Sequence, residues 1–225
     1  MKKQYIIGNW KSNVTVEEAK AWMESFAPAF KQLQNKLHET TVIISVPFTD
    51  LYPLKELINE HSIQLSLGAQ DVSPFPEGAY TGEVTAQMIK ELADWVIIGH
   101  SERRSLLKEG DEELSFEVMQ AKTHDVSVVY CVPDEKTHIP GNVDIVGYEP
   151  TWAIGTGKTD TPENANSVTK KIDVSSGINE IVYGGSVTSK NVKEFLQQDY
   201  ISGVLVGGAS LDPQKFIDLI KQATS

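Results

Sequence analysis

Disulfides, long apolar stretches and an excess of positive charge are all missing from this sequence. It holds one cysteine in 225 residues, so no bridge can form within the chain. No apolar run approaches the roughly 18–20 residues of a membrane-spanning helix. Behind the opening Met1-Lys2-Lys3, only Tyr5-Ile6-Ile7 is apolar, too short for the hydrophobic region of a signal peptide. Basic residues number 20 against 31 acidic ones, a net charge of −11 with histidines neutral. That balance argues against a nucleic-acid binder, whose footprint is a basic face. Proline is scarce at 10 residues while 40% of the chain is hydrophobic, which excludes collagenous and disordered compositions. The remaining expectation is a soluble globular protein with an anionic surface, in a reducing compartment such as the cytoplasm, with no nucleic-acid or membrane partner.

What is present is a set of short, β-rich apolar runs. They are Tyr5–Gly8, Thr41–Val46, Ile63–Leu67, Trp95–Ile98, Val126–Cys131, Ile145–Tyr148, Ile181–Tyr183 and Gly203–Val206. Runs of this length suit strands buried on both faces. Most of the gaps between them read as helix. Thr15 with Glu18 forms a capping box ahead of Ala19, Trp22, Met23, Phe26 and Phe30 at helical spacing, although Pro28 falls inside that stretch. Asp111 to Thr123 reads as a second helix. Thr161-Pro162 and Asp212-Pro213 each set a capping residue before proline at the first helical position. Thr188 or Ser189 starts another helix through Gln197.

Alternation of strand and helix means βαβ units and a parallel sheet. Eight strands, with no composition shift to mark a second domain, predict a single (β/α)8 barrel over residues 1–225. An open doubly wound sheet is the competing architecture. One gap breaks the rhythm. Between Cys131 and Ile145 the chain carries Pro133, Pro140 and Gly141, so the helix between strands five and six is expected to be missing or reduced to one turn.

In such a barrel, functional residues follow the strand C-termini. Those positions hold Asn9-Trp10-Lys11, Gly99-His100-Ser101-Glu102-Arg103, Glu149-Pro150 through Lys158, Gly184-Gly185-Ser186 and Gly207-Gly208-Ala209-Ser210. Each glycine pair alone reads as a turn. On adjacent strands seven and eight the two pairs together point to a phosphate site built from backbone N–H groups. Neither is a nucleotide loop or a dinucleotide fingerprint. His100 ends a buried strand before a candidate helix start, where a neutral, electrophilic imidazole is favoured. Glu149 ends an apolar strand before an apolar, glycine-containing loop, as a base beneath a cover would. Lys11 reads as a surface charge or as the partner of an anionic substrate or developing oxyanion. His38, His61, His124 and His138 read as structural or solvated, Cys131 as core, and none shows metal-ligand spacing.

Taken together and in order, Gly8-Asn9-Trp10-Lys11, Gly99 through Arg104, Tyr148 through Lys158, Tyr183 through Val187 and Val206 through Ser210 resemble the triosephosphate isomerase family. The resemblance runs from about Tyr5 to Ile220. It implies interconversion of dihydroxyacetone phosphate and D-glyceraldehyde 3-phosphate, in glycolysis and gluconeogenesis, with no cofactor or metal. It implies Glu149 as the base, neutral His100 as the electrophile, and Lys11 as electrostatic stabiliser. Asn9 and Lys11 would bind substrate, with the phosphate on N–H groups of Gly155, Ser186, Gly207 and Gly208. A lid would span about 151–159. Residues 71–83 resemble a loop by which the family dimerises, so that Thr81 would approach Asn9 and Lys11 of the partner subunit; a tetramer remains open. The chain departs from the family in its shortened link between strands five and six and in the short link from Ile172 to Ile181. Ile139 and Val143, or another subunit, are expected to cover the bare wall. The competing readings are an aldolase or lyase barrel, which lacks a second strand-end lysine, and a paralogue that only binds phosphosugars.

Overall fold

A computed structural model describes residues 3–151 and 159–225. Eight parallel strands close into a barrel in sequential order: β1 (Gln4–Asn9), β2 (Thr40–Val46), β3 (Ser66–Ala69), β4 (Trp95–Ile98), β5 (Ser127–Val132), β6 (Ile145–Tyr148), β7 (Ile181–Tyr183) and β8 (Gly203–Val206). Closure comes from β8 pairing back on β1, with Tyr5 opposite Gly203 and Gly8 opposite Val206. Side chains alternate along the strands. Tyr5, Ile7, Ile43, Ile97, Val129, Cys131, Ile145, Val182 and Leu205 fill the barrel interior. Their neighbours, Ile6, Val42, Ile44, Val96 and Val128 among them, face a larger outer core beneath the helices.

The helices are α1 (Val16–Leu33), α2 (Phe48–His61), α3 (Ala86–Lys90), α4 (Asp111–Thr123), α5 (Pro162–Ser176), α6 (Val192–Leu196) and α7 (Pro213–Ala223). Their starts follow from local chemistry. The Thr15–Glu18 capping box opens α1, and Pro28 sits within that helix. Thr161 and Asp212 accept from the backbone N–H of Asn164 and Lys215 and open α5 and α7. None of the described helices is long and apolar enough to cross a membrane.

Two elements start several residues later than the sequence reading places them. The third strand begins at Ser66, not Ile63. Ile63 and Leu65 are buried, yet the N–H of Ile63 goes to the carbonyl of Ile58 at the end of α2, so burial there comes from packing and not from pairing. The strand runs on instead through Gly68 to Ala69, and a Cβ at Gly68 would lie 2.6 Å from Ser45 Oγ of the paired strand. The helix expected from Thr188 or Ser189 starts only at Val192. The Asn191 carboxamide accepts from the N–H of Thr188 at 2.8 Å and holds a turn where the helix would have begun.

Between β5 and β6 no helix forms. Asp134 organises a tight turn, accepting from the N–H groups of Lys136 and Thr137 at 2.9 and 3.0 Å. Val143 joins the outer core and Ile139 packs against it, so a compact loop does the covering. Asp144 then latches the loop. Its Oδ2 accepts from Val128 N–H at 2.7 Å and pairs with Lys122 of α4 at 2.8 Å.

Candidate active site

The strand C-termini bring the predicted residues to one end of the barrel. Asn9, Lys11, His100, Glu149, Gly184, Gly185, Ser186, Gly207 and Gly208 line a single cavity of about 540 Å3. Gly155 and the rest of 152–158, which carry most of the expected lid, lie outside the described residues.

Glu149 is 2% exposed at the cavity floor. Its Oε1 lies 3.0 Å from His100 Nε2, and its Oε2 accepts the N–H of Ser101 at 3.0 Å. Burial pushes the Glu149 pKa up, but His100, the Ser101 N–H and Lys11 together outweigh burial and hold it below the usual carboxylate value. Behind it there is no room for a side chain, since a Cβ on Gly184 would sit 2.8 Å from Glu149 Cγ. Cys131 belongs to the barrel interior, as the sequence suggested. It also faces Glu149, and burial followed by the Glu149 charge drives its thiol pKa far up, so the thiol stays protonated.

His100 is buried where β4 meets a helical stretch that includes a π-helical turn, Arg103–Leu107. Its Nδ1 accepts the N–H of Glu102 at 3.2 Å, which places the ring proton on Nε2, facing Glu149. Burial lowers the pKa of the imidazole, while the charge and hydrogen bond of Glu149 raise it further, for a net upward shift.

Lys11 adopts φ 56°, in the left-handed region that a lysine enters only at a cost of about 1–3 kcal/mol. Its own N–H donates to Asn9 Oδ1 at 3.0 Å, which stabilises that conformation, and its ammonium pairs with Glu102. The two glycine turns line the same cavity as Lys11. A Cβ on Gly207 would meet nothing closer than Lys11 Cε at 3.5 Å, and one on Gly208 nothing within 4 Å, so the backbone there stands open to the cavity.

Sequence reasoning missed the bracing around these groups. The indole N–H groups of Trp10 and Trp22 both donate to the carbonyl of Ser210, at 3.1 and 3.0 Å. The Ser210 hydroxyl donates to the Gly207 carbonyl at 2.7 Å. The start of the β1–α1 connection, α1 and the turn after β8 are thereby tied together. At the far end of the expected lid, the Tyr183 hydroxyl accepts the N–H of Asp160 at 2.9 Å. The signals were long-range, between tryptophans and a backbone carbonyl some two hundred residues on, and no local pattern carries them.

Beside the cavity lies a charged cluster. Arg103 pairs with Asp71 at 2.7 Å and with Glu109. Glu117 of α4 reaches the same place and is 1% exposed. Burial, partly offset by Arg103, pushes the Asp71 carboxyl up to about 7. Burial and then the charges of Asp71 and Glu109 push Glu117 up to about 9.

Fold and site together define a (β/α)8-barrel enzyme whose carboxylate, imidazole and lysine share one cavity with two glycine turns. A family model described as triosephosphate isomerase matches residues 4–223. A protein called triosephosphate isomerase from Mesomycoplasma hyopneumoniae (strain 232) is 38% identical, over 95% of this chain and 97% of its own. One from Prochlorococcus marinus (strain NATL2A) is 38% identical, over 96% of each. A solved triosephosphate isomerase structure from Bartonella henselae superposes with a TM-score of 0.84 at 26% identity, covering 99% of this chain and all of that one. The chain belongs to the triosephosphate isomerase family and is an isomerase of triose phosphates.

Proposed function

We propose that this barrel, one domain over residues 1–225, interconverts dihydroxyacetone phosphate and D-glyceraldehyde 3-phosphate through an enediolate. Glu149 takes the proton from the carbon beside the carbonyl. The C–H electron pair forms the new C=C bond, and the carbonyl π pair moves to oxygen. His100 donates its Nε2 proton to that oxygen and recovers one from the neighbouring hydroxyl. Glu149 then returns its proton to the adjacent carbon, so nothing is consumed. Lys11 stabilises the developing negative charge, and Asn9 orients the substrate. The phosphate sits on N–H groups of Gly155, Ser186, Gly207 and Gly208, and at Gly207 and Gly208 no side chain blocks approach. A lid at about 151–159 excludes water, against loss of phosphate from the enediolate. No metal or cofactor enters these steps.

The observation that carries this reading is the His100–Glu149 contact of 3.0 Å at the floor of the cavity whose rim bears both glycine turns. A substrate carbonyl seated there takes the place of Glu149 on Nε2 and removes the Glu149 hydrogen bond that helps raise the imidazole. Burial and the Glu102 N–H on Nδ1 then favour the neutral ring. The expected site of action is the cytoplasm, with the pair of triose phosphates as substrates.

The site is completed by a homodimer formed through residues 71–83. That loop supports the reading by its shape. Ser73 N–H to the Val84 carbonyl, 2.9 Å, pins its base, and Phe75 stacks on Tyr80 with centroids 4.4 Å apart. Both rings stay 44% and 41% exposed and Thr81 stands at the tip, an apolar finger offered outward.

The decisive test is turnover of purified protein with D-glyceraldehyde 3-phosphate, with Glu149→Gln as the control. Loss of a general base predicts a fall of about 10²–10⁴-fold. Equal turnover in the two proteins would overturn the mechanism.

A further inference from the structure

The Arg103 cluster is explained only in part by its ion pairs. Arg103 satisfies one oxygen each of Asp71 and Glu109. Asp71 Oδ1 and Glu109 Oε2 are left buried with no hydrogen-bond partner. Independently, α4 delivers Glu117 into the same place. It is 1% exposed, its Oε2 has no partner, and among the described residues no basic side chain pairs with it. Burying a carboxylate oxygen without a donor is costly, and one such group calls for a ligand or a proton. One oxygen from each of Asp71, Glu109 and Glu117 falls within 4.8 Å of the other two, the spacing of ligands around one ion.

We propose that these three carboxylates hold a hard divalent cation, of the Mg2+ or Ca2+ type, that locks the loop after β3 to α4. Three carboxylates against one guanidinium leave two negative charges, which one divalent cation neutralises. The donor set is all oxygen, with no histidine or cysteine, and this suits Mg2+ or Ca2+ and disfavours softer transition metals. Three protein oxygens leave positions for water. Asp71 and Arg103 also line a neighbouring cavity of about 300 Å3 that reaches Lys11 and His100. The cation would act on stability: it ties the loop after β3 to the stretch that runs from Glu109 into α4, and backs the stretch that carries His100. It takes no part in the isomerisation.

The test is thermal unfolding of the chelator-treated protein, with CaCl2 or MgCl2 added at matched ionic strength. A cation at a hundredfold its dissociation constant should raise Tm by about 5–10 °C for a chain of this size. Calorimetric titration should give one ion per chain. Glu117→Gln keeps the shape but removes a charged ligand, and should abolish both signals; Asp71→Asn should weaken them. A response to Ca2+ alone marks a flexible, higher-coordinate site, and one to Mg2+ alone a compact octahedral site; either supports the proposal. It is overturned if neither ion shifts Tm or binds, which would mean that protons fill the cluster. It is equally overturned if the response survives in both variants.

Discussion

At the residue scale, the candidate site is a set of groups each held by a neighbour that local sequence does not reveal. Glu149 and His100 were legible because each ends an apolar strand with a chemical side chain, and Lys11 because it follows the first one. What holds them was not legible: the Ser101 N–H on Glu149, the Glu102 N–H on His100 and the Asn9 side chain on the strained Lys11 backbone. The pair also makes a pH-dependent contribution to stability. The lowered pKa of Glu149 gives stability above its ordinary value of 4.5, lost as pH falls through its folded value. The raised pKa of His100 gives stability that is complete below its ordinary 6.5 and is lost as pH rises through its folded value. Urea unfolding of wild type and Glu149→Gln should therefore differ most between about pH 4.5 and 6.5, and the difference should shrink on either side. A gap that grows steadily above pH 7 would contradict the pairing.

At the element scale, apolar periodicity located the strands because a parallel barrel buries both faces, and caps located α1, α5 and α7 because capping is chemistry within one turn. Where burial and pairing part company, as at Ile63 and Leu65, hydrophobicity misplaces the strand. Where a side chain captures a backbone group, as Asn191 does, the helix starts late. The missing helix after β5 was visible in Pro133, Pro140 and Gly141, but its substitute was not, because Asp144 works through Lys122 and Val128. Asp144→Ala should strand the buried N–H of Val128 and cost about 1–3 kcal/mol, measured by urea unfolding, with little change in turnover per folded molecule. A neutral result would mean that the Ile139 and Val143 packing alone closes the wall.

At the scale of the whole molecule, charge and shape pull in opposite directions. Each chain carries −11, yet the proposed dimer brings two chains together through the finger of Phe75 and Tyr80. Salt screens repulsion between like-charged partners while leaving apolar burial intact. Light scattering should give a dimer mass at micromolar concentration, with a dissociation constant that falls as salt rises, and Tyr80→Asp should yield monomers of reduced turnover. A wild-type monomer mass at that concentration would remove the dimer. The two indoles that share the Ser210 carbonyl also turn this barrel into its own optical gauge. An anion on the proposed phosphate site at Gly207 and Gly208 would pull on the same short segment to which Trp10 and Trp22 are moored. Their emission should change when inorganic phosphate is titrated in, and stay still when Gly207→Asp repels it, so that occupancy can be followed by light alone with no turnover at all.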